Sequence, residues 1–404
     1  MDTPMMMGWL TAENLRGKEV FSFNYERKWL ASAFCHKLDP DLALYEGRQF
    51  LYDEHKPNFG IFLDSCPDRW GRVLMQRREA AMARMEGRNA QRLMETDYLL
   101  GVYDQHRMGG VRFRLNDEGT FLSDDPTMAA PPWTSIGTLE QVSIKIEDDQ
   151  YIDEPAYLQW ISMLIAPGSS IGGARPKASV LDANGEPWIA KFPSKHDIRD
   201  IGAWEMLANR LAKIAGIQVA QGQAKRFSSQ YHTFLSKRFD RERKVRRHFA
   251  SAMTLLGKTD GASYQEGVSY LHLADFIMSE GSEPQQDLEE LWRRMVFNIC
   301  ISNTDDHLRN HGFLLQNNGW KLSPAYDLNP NNEGFGLSLN ISETDNALDI
   351  GLAISVAPYF RLTSSKANAI VREVMTAVAQ WAILAKQLQI PRSEQEMMKG
   401  VFIR

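Results

Sequence analysis

The residues that most constrain this chain run from Asn298 to Asp327, NICISNTDDHLRNHGFLLQNNGWKLSPAYD. Within them Asp305 and Asn310 stand five apart, as D-x-x-x-x-N, and Asp327 follows a short alternating segment. Gly312-Phe313-Leu314-Leu315, the turn Asn317-Asn318-Gly319 and Trp320-Lys321-Leu322 predict a hairpin that folds Asp327 back towards Asn310. Phosphoryl transfer needs such a set: a carboxylate to take the proton of an attacking hydroxyl, then an amide and a second carboxylate to hold Mg²⁺ on nucleotide phosphates. The adjacent Asp305, Asp306 and His307 also suit a metallohydrolase cluster or a solvated polar loop. The spacing alone therefore leaves three readings open.

Composition narrows the class. A chain of 404 residues with 43% apolar and 10% aromatic content predicts two or three domains with sizeable cores. A formal charge of -5 supplies no global basic field, which disfavours nucleic-acid binding driven by charge. No run of about 18 apolar residues exists to span a membrane, and the Met-rich start lacks the basic and long apolar regions of a leader, so a cytoplasmic location is expected. Three scattered cysteines, Cys35, Cys66 and Cys300, argue against a disulfide framework and against a zinc site.

Residues 1–125 form the first compositional unit, an α+β module. Glu19 to Phe23 and Gly110 to Arg114 are expected as strands, around a helical region from Arg69 to Glu95 entered through an Asp68 N-cap and a buried Trp70. The Pro- and Ala-rich stretch from Asp124 to Trp133 predicts a linker. A second unit, 126–240, carries the glycine segment Gly168 to Val180, whose small residues would let backbone N–H groups approach an anion. It matches neither a Walker A loop nor a clean G-x-G-x-x-G, and a plain hairpin is the alternative. Glu186 to Pro193 then predicts a strand after a turn at Asp182 to Gly185, with Lys191 placed like a lysine that holds nucleotide phosphates. A helix from Ile201 to Ala215 follows, on which Glu205 could pair with Lys191 or lie at the surface.

Tyr231 to Phe239 alternates like a strand beside an adenine, and the charged run Asp240 to His248 is expected to be a solvated loop, with a substrate or partner surface as the alternative. In the third unit, 241–404, a helix with Asp287 and Glu290 in a capping-box pattern carries Leu288, Leu291, Trp292, Met295, Val296 and Ile299 into the Asp305 loop. Ser364 to Ile390 is expected as one amphipathic helix that Pro391 ends.

Taken together, Phe62 to Arg72, Gly109-Gly110, Ser170 to Lys177, Ile189 to Pro193, Lys237 to Arg241, Thr304 to Asn310 and Leu322 to Leu328 resemble the HipA toxin kinases of bacterial toxin-antitoxin modules. The resemblance implies an α+β, protein-kinase-like (HipA-like) two-lobed catalytic body. Residues 1–125 would be a small N-terminal α/β domain, 126–240 the nucleotide-binding lobe and 241–404 a mostly helical C-terminal lobe. It implies Mg²⁺- and ATP-dependent serine/threonine phosphorylation, with Asp305 catalytic, Asn310 and Asp327 binding Mg²⁺, and Lys191 binding ATP. Gly172, Gly173, Ala174, Arg175, Pro176 and Lys177 would contact phosphates, and Lys237, Arg238 and Phe239 would line the hinge. His307 and Tyr326 would lie in nucleotide-binding stretches. Ser170, beside Ser169, matches the autophosphorylated serine. The resemblance also implies a HipB-like helix-turn-helix antitoxin, operator DNA reached only through that complex, and a protein substrate of the aminoacyl-tRNA synthetase kind. A small-molecule or lipid kinase of the same fold, or a catalytically silent partner-binding relative, would share much of this pattern.

Overall fold

Arg16 and Gly17, both at positive φ (53° and 81°), form the two-residue turn that right-twisted antiparallel strands favour. They join strand Gly8–Leu15 to strand Lys18–Tyr25, which pairs on its other side with the short strand Arg48–Phe50. This computed structural model describes residues 4–116, 119–122, 132–165, 175–242 and 245–402. Residues 123–131 of the linker, residues 166–174 of the glycine segment and the two serines within the latter lie outside the described residues. The chain divides into two compact units, Met1–Lys195 with Asp240–Ala250, and His196–Phe239 with Ser251–Arg404. The three segments drawn from composition follow different boundaries. Among the described residues no helix is long and apolar enough to cross a membrane.

In the first unit the three-stranded sheet turns Phe21, Phe23 and Tyr25 into a core shared with Phe59 and Phe62. The helix Arg69–Glu86 begins as expected, with the Asp68 carboxylate accepting from the Gly71 N–H and Trp70 buried. It stops earlier than Glu95, because Gly87 takes the left-handed conformation (φ 64°) and its neighbour's N–H bonds back to Ala83 O at 2.9 Å. Arg72 grips Glu95 with two bonds of 2.7 Å and lies over the Tyr98 ring. Val111 to Arg114 is not a strand. Two of its side chains are instead committed inward: Arg112 holds the buried Asp104, and Phe113 packs on Phe62.

The charged run after Asp240 is also not the expected solvated loop. Arg241–Glu242 and Val245–Arg246 pair as a small ladder, and Asp240 is fully buried. Its carboxylate accepts from Gly109 N at 2.8 Å and Arg241 Nη1 at 2.5 Å, while Arg241 also donates to the carbonyls of Gly109 and Arg107. Arg246 joins Arg112 on Asp104. Gly109 is required at this junction: its φ is 73°, and a Cβ there would stand 2.9 Å from Phe249 N. Arg107, fully buried, donates from its two Nη groups to the carbonyls of Ser65, Leu99 and Val102, and burial pushes its pKa down to about 10. Arg241 and Arg246 are therefore not a surface patch for phosphates, since each is committed to buried carboxylates and carbonyls.

The second unit is built on two helices. Ile201–Ile214 ends at Gly216 (φ 81°), and its Trp204 stacks on Phe402, which in turn stacks on Trp381. Pro284–Cys300 starts with proline in its first turn, where a missing N–H costs nothing, so the expected capping box at Asp287 and Glu290 is absent. Asp287 is instead buried, accepting from Leu322 N and facing Lys321, and Glu290 holds Arg294. The predicted stripe from Leu288 to Ile299 is wholly buried. The carboxy-terminal helix is two, Ser364–Val378 and Trp381–Gln387. Pro391 opens a further helix, Arg392–Met398, because proline fits before a helix start better than inside one.

Candidate active site

The Pro284–Cys300 helix delivers the chain into a turn where Ser302 adopts φ 48° and Asn303 N bonds to Asn298 O at 2.9 Å. Below the loop lies a buried polar floor. Asn303 donates to Asn298, Asn298 donates to Tyr270 Oη at 3.0 Å, and Tyr270 donates to Asp306 Oδ2 at 2.5 Å. Asp306 Oδ1 also accepts from Ser338 N, and Ser338 Oγ donates to Thr304 O. Burial raises the Asp306 carboxyl to about 7 and holds the Tyr270 phenol well above its ordinary value. The floor fixes the loop, because each buried polar group that lost its partner would cost roughly 1–3 kcal/mol.

With Asp306 turned inward, its neighbour Asp305 projects outward, its side chain 74% exposed. His307 Nε2 stands 3.7 Å from Asp305 Oδ1, an electrostatic contact longer than a hydrogen bond. The metallohydrolase reading fails at this point, since the two adjacent acids face different surroundings. Among the described residues no three His, Cys, Asp or Glu side chains gather as a metal cluster.

Asn310 Nδ2 donates to Asp305 O at 2.7 Å, tying the two ends of the D-x-x-x-x-N spacing together. Its Oδ1 is buried and has no hydrogen-bond partner. From Asn310 the chain enters the expected hairpin, Gly312–Gln316 with Gly319–Leu322, in register from Phe313–Leu322 to Gln316–Gly319. The return strand is then fastened: Ala325 N bonds to Gln218 O at 2.7 Å, and Ala220 N bonds to Ala325 O at 2.9 Å. Tyr326 Oη donates to Arg309 O at 2.6 Å, which sets the residue before Asp327 against the residue before Asn310. Asp327 itself sits at φ 57° and accepts from Asn329 Nδ2 at 2.9 Å. With Glu205, Asn209 and Tyr326 it lines a cavity of about 10 Å³, the size of one water.

These oxygens suit a hard divalent cation. Asn310 Oδ1 is a buried acceptor with no partner, and Asn329 Oδ1, which sequence reasoning missed, is buried without a partner too. The only sequence signal for Asn329 was its place two residues beyond Asp327. Glu205 is 3% exposed, so the surface-acid alternative for it is wrong.

Lys237, Arg238 and Phe239, expected at the hinge, lie in the same unit. Lys237 ends strand His232–Lys237 with its N–H on Gln221 O, Arg238 is buried, and the Phe239 ring packs against Tyr326 at 5.5 Å. Arg175, Pro176, Lys177 and Lys191 belong to the first unit. There strands Lys177–Leu181 and Pro187–Lys191 form the expected hairpin, turned at Gly185 (φ 75°), with Lys177 directly opposite Lys191. Lys191 is buried, and the Lys177 ammonium lies on Asp68 at 2.6 Å. Gly172, Gly173, Ala174 and Ser170 lie outside the described residues.

The family model for the HipA-like C-terminal domain matches residues 169–382. The serine/threonine-protein kinase toxin HipA of Shewanella oneidensis is 26% identical over 192 residues, 40% of this chain and 43% of that protein. A Haemophilus influenzae protein named as a kinase is 26% identical over 178 residues, 40% of this chain and 52% of its own length. The chain thus spans about half the length of the curated relatives it matches. A solved HipA chain, from the complex of Shewanella oneidensis HipA with HipB and its operator DNA, superposes with a TM-score of 0.68 at 19% identity, covering 98% of this chain and 93% of that one. The fold is accordingly α+β and HipA-like.

Proposed function

The chain belongs to the family of the HipA-like C-terminal domain, and from that membership we propose that it is an ATP- and Mg²⁺-dependent serine/threonine protein kinase of a toxin-antitoxin module, working in the cytoplasm where ATP is available. The observation that carries the reading is the Asp305–Asn310 loop: an exposed carboxylate on a buried floor, with Asn310 Oδ1 left as an orphaned acceptor. Asp305 takes the proton of the attacking hydroxyl as that oxygen bonds to the ATP γ-phosphorus, and ADP leaves. Asn310 and Asp327 would hold Mg²⁺, which neutralises charge on the phosphates. Lys191 and the stretch from Gly172 to Lys177 address the phosphates, and Lys237, Arg238 and Phe239 border the nucleotide with His307 and Tyr326. The three-part division at 125 and 240 is proposed on the same basis.

The test is incubation of the purified chain with labelled ATP, Mg²⁺ and a bacterial lysate. Label is expected on one protein band, a synthetase being the substrate class proposed, and intact mass of the chain alone should rise by one phosphate, assigned to Ser170. Label confined to small molecules would favour a small-molecule kinase. No label anywhere, in protein shown to start unmodified, would leave only the silent-relative reading.

A second element of the proposal is a HipB-like helix-turn-helix partner that supplies the base contacts on operator DNA. The isolated chain should bind duplex DNA weakly and without sequence preference at physiological salt, and gain selectivity only with the product of the adjacent small gene. A titration on operator and scrambled duplexes measures this. Tight selective binding by the chain alone would refute it.

A further inference from the structure

The loop that follows Asp327 is fastened at both ends to the residues around Asp305, and it carries one side chain that packing does not explain. At its start Asn331 N bonds to Ser302 O at 3.1 Å, Asn331 Nδ2 donates to Thr304 Oγ1 at 2.8 Å, and Asn331 Oδ1 accepts from Glu333 N at 2.9 Å. At its end Ser338 Oγ donates to Thr304 O at 2.8 Å, Ser338 N donates to Asp306, and the buried Leu337 is paired with Asn346. The loop therefore closes on Thr304, the residue before Asp305, from both sides. Between the fastenings lie Gly334-Phe335-Gly336. Both glycines are close approaches: a Cβ on Gly334 would overlap the Thr304 side chain, and one on Gly336 would stand 2.6 Å from Asn346 Nδ2. Phe335 itself is 98% exposed, so its ring is no part of the core. A lone exposed apolar side chain is ordinary on a protein surface. This one is set apart by its mounting, a loop anchored to the segment that carries the candidate general base. Aromatic side chains on rigid supports are common anchors of protein recognition, because their few torsions cost little to fix. We propose that Phe335 is a substrate-contact residue, docking on an apolar side chain or pocket of the protein whose serine or threonine hydroxyl is presented to Asp305. A protein that brings a hydroxyl to that carboxylate must cover the surface around it, and the loop anchored on Thr304 is part of that surface. The inference rests on the kinase reading of Asp305 and deepens it, by giving the protein substrate an apolar feature beside the phosphorylated residue.

The test compares the full wild-type chain with Phe335→Ala and Phe335→Leu, using labelled ATP, Mg²⁺ and a dilution series of bacterial lysate as the source of acceptor protein. Binding of a fluorescent ATP analogue and thermal unfolding are followed alongside. At limiting lysate Phe335→Ala should label the protein band roughly ten- to hundredfold more slowly, the effect of losing one buried apolar side chain at an interface. At saturating lysate the rate should recover, because the contact serves binding rather than the chemical step. Phe335→Leu, still apolar, should stay close to the wild type. The melting temperature and the affinity for the ATP analogue should not change, since the ring is exposed and lies outside the proposed nucleotide set. Labelling by Phe335→Ala at the wild-type rate throughout the series would overturn the proposal. So would weakened binding of the ATP analogue, or a rate that stays low at saturating lysate, either of which would place Phe335 in the nucleotide site or the chemistry. Intact labelling with lost binding to the product of the adjacent small gene would assign the loop to that partner and overturn the substrate contact. If the wild-type chain labels no protein, the protein-kinase reading fails and this inference with it, whereas a labelled band that is indifferent to Phe335 sinks the inference alone.

Discussion

Replacing Asp305 with asparagine is expected to lower phosphoryl transfer by about 10²- to 10⁴-fold, the usual contribution of a general base, while changing stability by no more than about 0.5 kcal/mol. The separation follows from the loop. The stabilising contacts run through Asp306, Tyr270, Asn298 and Ser338, whereas the Asp305 side chain is largely exposed and its backbone carbonyl, which Asn310 uses, survives the change. Asp327→Asn should act differently. Asparagine tolerates the left-handed conformation that Asp327 adopts, so the turn persists. A neutral amide facing a divalent cation should then raise the Mg²⁺-ATP requirement before it lowers the maximal rate. Labelled-phosphate assays at varied Mg²⁺-ATP distinguish the two, and a wild-type rate from Asp305→Asn would remove Asp305 from the mechanism.

The largest effect on stability is expected from Asp240→Ala. Asp240 is fully buried and accepts from both Gly109 N and Arg241, so its loss leaves a buried guanidinium without its carboxylate. Breaking a buried pair from one side costs about 3–5 kcal/mol. Replacing both partners, as in Asp240→Ala/Arg241→Met, should cost less, because no uncompensated charge remains. Urea unfolding measures both. A single variant within about 1 kcal/mol of the wild type would mean that the network is dispensable.

What the sequence made legible was local. The Asn317-Asn318-Gly319 turn, the buried stripe from Leu288 to Ile299 and the Asp68 cap each rest on contacts a few residues apart, where spacing and side-chain chemistry suffice. The D-x-x-x-x-N spacing of the site was readable for the same reason, since Asn310 bonds back to Asp305 itself. What escaped was set by distant partners. The run from Asp240 to Arg246 looked solvated because its ligands, Asp104, Arg107 and Gly109, lie more than 130 residues earlier. Asp287 and Glu290 imitated a cap while serving Leu322, Lys321 and Gln218. That Asp306 turns inward was not readable, because its partners Tyr270 and Ser338 lie 36 and 32 residues away.

The excursion of Asp240–Ala250 into the first unit means that the polypeptide crosses between the units three times, after Lys195, after Phe239 and after Ala250. No single cut of the chain can then release either unit whole. An amino-terminal fragment ending at Lys195 would lack Asp240 and Arg241, stranding the Gly109 N–H and the Arg107 carbonyl that they satisfy. The complementary fragment would carry those buried charges with nothing to receive them. A fragment meant to hold the first unit must therefore carry Asp240–Ala250 as well as Met1–Lys195.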